Sequence, residues 1–61
     1  MSPAYIRANR IRQLHILFKQ RLEETKDPQV ALEAVFDRAH HMASKRTADE
    51  YVQEVIRRVS K

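Results

Sequence analysis

The chain contains no cysteine and no glycine, and only two prolines among 61 residues. Without cysteine a disulfide framework is excluded, and the composition fits a reducing compartment. Without glycine, the tight turns of β-hairpins lose their preferred residue, so strands joined by short loops are not expected. The longest strongly apolar run is Ile16-Leu17-Phe18, far short of the roughly 18 residues of a membrane span. The first residues, Met1 to Arg7, have no basic stretch leading into a long apolar run. These absences lead to the expectation of an intracellular, cytoplasmic protein with no membrane partner.

Chemistry is equally sparse. Serine occurs only at Ser2, Ser44 and Ser60, each near an expected helix end. There is no glycine-rich phosphate loop, no HExxH and no nucleophile elbow. The histidines are His15, His40 and His41. The last two are adjacent, so on a helix they project about 100° apart and do not converge simply on one ion. His15 and His40 facing each other across two helices would still lack a cysteine or a well-placed carboxylate to complete a metal site. The expectation is no catalytic residue, no metal, no cofactor and no small-molecule substrate: not an enzyme.

What is present is a set of helix starts. Ser2-Pro3 and Asp27-Pro28 each place a capping side chain before a proline at the first helical position, where its missing N–H has no helical partner. Thr47-Ala48-Asp49-Glu50 has the spacing of a capping box. Together they predict three helices, at about 3–26, 28–45 and 48–60. Apolar spacing supports each. Ala8, Ile11, Leu14, Phe18 and Leu22 share a face of the first. Leu32, Val35, Phe36, Ala39 and Ala43 share one of the second, with Met42 at its edge. Ala48, Val52, Val55, Ile56 and Val59 share one of the third, with Tyr51 at its edge. Short connections force antiparallel neighbours. The fold class read from this pattern is all-α, a small antiparallel three-helix (up-down-up) bundle forming a single domain over residues 1–61. Phe18, Leu22, Leu32, Phe36, Val52 and Ile56 are expected among the most buried side chains. A core this small supplies only about 3–5 kcal/mol of net stability, so Phe36→Ala, at roughly 3–5 kcal/mol, would unfold it.

The formal net charge is +4, with both signs present. The antiparallel order is expected to gather Arg7, Arg10, Arg12, Lys45 and Arg46 at one end, near His40 and His41 and diluted by Asp49 and Glu50. The other end collects Glu23, Glu24, Asp27 and Glu33, offset by Lys26, Arg57, Arg58 and Lys61. Lys45 and Arg46 would suit the negative end of the second helix dipole. Arg7, Arg10 and Arg12 have no such explanation, and arginines clustered on a helix end are suited to phosphate or carboxylate. On the first helix, Tyr5, Asn9, Arg12, Ile16 and Lys19 form a stripe facing away from the expected core, flanked by Ile6, Arg10, Gln13 and Leu17. Large apolar groups on two faces of one helix point to contact on both.

A helix-turn-helix reading fits poorly, because the second helix is long and the expected start of the third is acidic, where bases are normally read. The leading functional expectation is a small accessory or regulatory protein. It would dock on a larger macromolecular partner, or on a second copy of itself, through Tyr5, Ile6, Asn9, Arg12 and Ile16 and the basic pole. The alternative is sequence-independent nucleic-acid binding by the same pole. Tyr5 is the only aromatic near the arginines, and single-strand binders stack bases on several, which favours a protein. A third reading is a structural subunit of a larger assembly.

Overall fold

Ser2 adopts an extended conformation, and its Oγ accepts the Tyr5 N–H at 3.3 Å, with Pro3 as the first helical residue. From there the chain, a computed structural model describing residues 2–61, runs as α1 (Pro3–Thr25), α2 (Pro28–Met42) and α3 (Lys45–Val59). The described residues contain no strand, and all three helices pack on one another. The architecture is an all-α three-helix bundle. No helix of the described residues is long and apolar enough to cross a membrane.

The break between α1 and α2 falls where the sequence places it. Thr25 donates its hydroxyl to the Arg21 carbonyl (2.7 Å), and its Oγ1 accepts the Asp27 N–H (3.2 Å). Asp27 Oδ1 accepts the Gln29 N–H (3.0 Å), so it caps α2 in front of Pro28. Between them Lys26 is held left-handed, at φ 59°, with its N–H on the Leu22 carbonyl (2.8 Å). Glycine normally takes this position because it has no Cβ to clash.

The second break differs from the expectation of helices at 28–45 and 48–60. α2 stops at Met42 with Ala43 extended, and α3 begins at Lys45 behind Ser44. Nothing between Ser44 and Ala48 disfavours a helix, and the Ser44 carbonyl already accepts the Ala48 N–H at 2.8 Å. Thr47 is therefore inside the first turn, where it accepts a hydrogen bond from the Ser44 hydroxyl (3.3 Å). It does not act as the cap of a box with Glu50.

The core is built from Ile11, Leu14 and Phe18 of α1, Ala31, Val35 and Ala39 of α2, and Ala48, Tyr51, Val52 and Val55 of α3. Leu22, Leu32, Met42, Ala43, Ile56 and Val59 pack around it, half-buried. Phe18 and Val52 are thus buried as expected, while Leu22, Leu32 and Ile56 lie at the margin. Phe36 is not core: it is 48% exposed and stacks its ring on His40, centroids 4.2 Å apart. Ala8, too, is exposed. The reason is volume. α2 turns its small Ala31–Val35–Ala39 stripe inward, and Tyr51, expected only at the edge of α3, fills the interior instead. Interiors are close-packed, so bulk on one helix demands small residues opposite.

Groove-lining residues give the register. Gln13 shares a groove with Met42, and Arg21, two turns later, with Ala34, so α1 and α2 run antiparallel. α3 flanks the first part and middle of α1, with Arg7 beside Asp49, Glu50 and Arg57, and Arg58 near enough to His15 to act on its charge. α1 has 23 residues against 15 in each of the others. At 1.5 Å per residue it is about 34 Å long, which accounts for the 35 Å long axis of the molecule.

Candidate functional site

Before Arg10, every described residue of α1 is exposed. Tyr5 is 59% exposed, Ile6 37% and Ile16 40%. Asn9, Arg12 and Lys19 are exposed beside them. The stripe read from the sequence therefore lies on the side of α1 opposite Ile11, Leu14 and Phe18. Tyr5, Ala8, Asn9 and Arg12 together line a shallow depression along it.

The five basic residues expected at one end lie in the first half of α1 and the first turn of α3, and they face different ways. Arg7 borders the outer surface of α3, among Asp49, Glu50, Gln53, Glu54 and Arg57. Arg57, expected at the opposite end, shares that groove with Arg7, because α3 lies along the first part of α1. Arg10 is half-buried. Arg12 is five positions beyond Arg7, about 140° around the helix, and belongs to the Tyr5 stripe instead. Lys45 and Arg46 are exposed and occupy the first turn of α3. That removes the dipole explanation for them: they stand at the positive end of a helix, where a cation is disfavoured.

Pairing separates the cations further. Glu54 accepts hydrogen bonds from Nε (3.1 Å) and Nη2 of Arg57 and from Nε of Arg58 (3.3 Å). The Arg57 hydrogen bonds, above all, hold the Glu54 carboxyl below the usual carboxylate range. Arg21 pairs with Glu24 at 3.6 Å. Among the described residues, Arg7, Arg10, Arg12, Lys19, Arg38, Lys45 and Arg46 have no ion-pair partner. The sequence explains Arg7, Arg10 and Arg12, since no acidic residue precedes Glu23; Lys19 has Glu23 one turn away and is still unpaired.

The histidines serve the fold. His40 Nδ1 donates to the Phe36 carbonyl and His41 Nδ1 to that of Asp37, both at 2.8 Å, tying off the last turn of α2. His40 Nε2 lies 3.3 Å from Asp49 Oδ1 across the α2–α3 junction, out of line for a hydrogen bond. Partial burial, with Lys19 and Arg58 nearby, pushes the His15 imidazole below its ordinary pKa. No group of three or more His, Asp or Glu among the described residues is placed to hold a metal ion.

A second concave surface was not anticipated from the sequence. On the outside of the α1–α2 hairpin, Gln13, Ile16, Leu17, Gln20, Arg38 and Met42 line a groove, which continues along Arg21, Ala34 and His41. Its signal was available: Ala34, Arg38 and Met42 recur every fourth residue, flanking the core stripe of α2. Comparison of the chain with known protein families, with curated proteins and with solved structures gave no match.

Proposed function

We propose that this protein is a non-enzymatic accessory or regulatory module that docks on a protein partner through the outer face of α1. One observation carries the reading. Tyr5, Ile6 and Ile16 are exposed on a helix whose Arg7, Arg10, Arg12 and Lys19 have no ion-pair partner among the described residues. Cations crowded into the first turns of a helix oppose its dipole and one another, at a few tenths of a kcal/mol each. Folding therefore gains nothing from them, and exposed aromatic, arginine and aliphatic side chains are the types that anchor interfaces. Arg12 and Ile16, one turn apart and both outward, are the centre of the proposed contact.

The test is the double variant Tyr5→Ala/Ile16→Asp, examined by circular dichroism, sedimentation and recovery of partners from the native host. The expected result is an unchanged helical signal with loss of partner binding, or of self-association if a second copy is the partner. A helical double variant that keeps both would show α1's outer face to be merely solvated. Nucleic-acid binding is the second reading, favoured by the unpaired cations of α1 and of the α3 start. It predicts a steep fall of affinity with salt, about 0.9 decades per phosphate contact for each decade of salt.

A further inference from the structure

We propose that the groove on the outside of the α1–α2 hairpin seats an amphipathic helix supplied by an acidic protein partner, turning three helices locally into four. This rests on docking through α1 and adds the shape and charge of what docks.

The groove runs between two antiparallel helices, and none of its lining comes from α3. A channel between two helices is the surface into which the ridges of a third pack. Its floor is apolar: buried Leu14, with Leu17 and Met42 half-buried, and Ile16 rises as an exposed wall. A phosphate backbone gains nothing from such a floor, whereas the apolar stripe of a helix does.

Charge names the sign of the partner. Arg12 and Lys19 lie one turn to either side of Ile16, and Arg38 lines the groove along its length. All three are exposed and have no ion-pair partner among the described residues. Arg21, at the far end, is already paired with Glu24, and Asp37 is the one acidic residue lining the groove. Within the lining the free charges of Arg38 and Asp37 offset one another, so the surplus positive charge is that of Arg12 and Lys19, which lie outside the lining and frame Ile16 on its outer flank. Glutamates flanking an apolar stripe complement that frame. Lysines there would meet like charge, which costs binding.

The experiment uses the full chain with isotope-labelled amides. The probes are a helical peptide of about eighteen residues with leucines at i, i+3, i+4 and i+7 and glutamate flanks, its scrambled isomer, a lysine-flanked version, and a short DNA duplex. The glutamate-flanked peptide should shift amides in residues 13–21 and 34–42 and bind at least about tenfold more tightly than the lysine-flanked one. In Arg12→Glu/Lys19→Glu/Arg38→Glu, which alters only exposed side chains, that order should reverse. Equal binding by the scrambled isomer would reduce the effect to charge and overturn the proposal. So would an unchanged peptide order in the triple variant, or the duplex moving the same amides more strongly than the peptide. Shifts confined to residues 5–12, with α2 amides unmoved, would overturn the groove while leaving docking through α1 standing.

Discussion

In α3, Glu54 stands one turn before Arg57 and Arg58 and receives hydrogen bonds from both. In α1, Arg7, Arg10 and Arg12 have no acidic residue within a turn of them on their own helix. The two helices also differ in how they divide apolar surface. α3 is sharply amphipathic and buries its largest apolar groups on one side. α1 is only weakly amphipathic, because Tyr5, Ile6 and Ile16 lie outside the Ile11–Leu14–Phe18 face. Beyond its first turn α3 is satisfied by its own fold, while α1 leaves both charge and apolar area unused. The surplus on α1, set against its more self-contained neighbour in the same small molecule, is what the proposed docking would use.

The largest expected effect tests whether the two faces of α1 are as different as this. Leu14 is fully buried, so Leu14→Ala should cost roughly 2–5 kcal/mol, enough to abolish the cooperative urea transition of so small a domain. Arg12→Ala, on the opposite face, should stay within about 0.5 kcal/mol. Equal losses would make the outer face part of the fold and end the comparison. Phe36→Ala belongs with the mild class, at about 1 kcal/mol or less, since about half of the residue's surface is exposed. A loss of several kcal/mol there would restore Phe36 to the core.

A smaller effect, of opposite sign, is expected at the end of α1. Lys26 carries a left-handed backbone without glycine's freedom. Lys26→Gly should raise stability by about 0.5–1 kcal/mol, read as a higher urea midpoint with unchanged slope. No gain would mean that the turn tolerates Cβ without strain.

The smallest effects are two pH limbs, one from each helix. His15 binds its proton less readily folded than unfolded, so its contribution is present above its usual value of 6.5 and is lost as pH falls toward the lower folded value. Glu54 is also depressed, from a usual 4.5, so its contribution holds above that and is lost as pH falls through the folded pKa. His15→Gln should flatten only the first limb, and Glu54→Gln only the second, in urea midpoints measured against pH. One substitution flattening both would couple the helices electrostatically.

The helix count, the Asp27–Pro28 start and the outward stripe of α1 were legible because each rests on local chemistry: a cap, a missing N–H, a period of 3.6. The start of α3 was misread because Thr47 and Glu50 have the spacing of a capping box, and nothing local says that Ser44 has already begun the helix. Phe36 was misassigned for a different reason. Val35 and Phe36 are adjacent, both apolar and about 100° apart on α2, and only the bulk of Tyr51 opposite decides which turns inward. The α1–α2 groove went unread because the period of Ala34, Arg38 and Met42 marks a stripe but not a groove, which exists between helices and depends on which side α3 covers.

The two linkers, Lys26–Asp27 and Ala43–Ser44, are two residues each, and their consequence is one of time. Closing such short connections asks little of the chain before its helices meet, and bundles dominated by near-neighbour contacts fold in microseconds to milliseconds. Encounter between proteins at ordinary cellular concentrations is slower than that. The proposed partner would therefore meet α1 already formed and its side chains already set out, so that recognition would select a finished shape at a rate that follows collision, with no folding step to wait for.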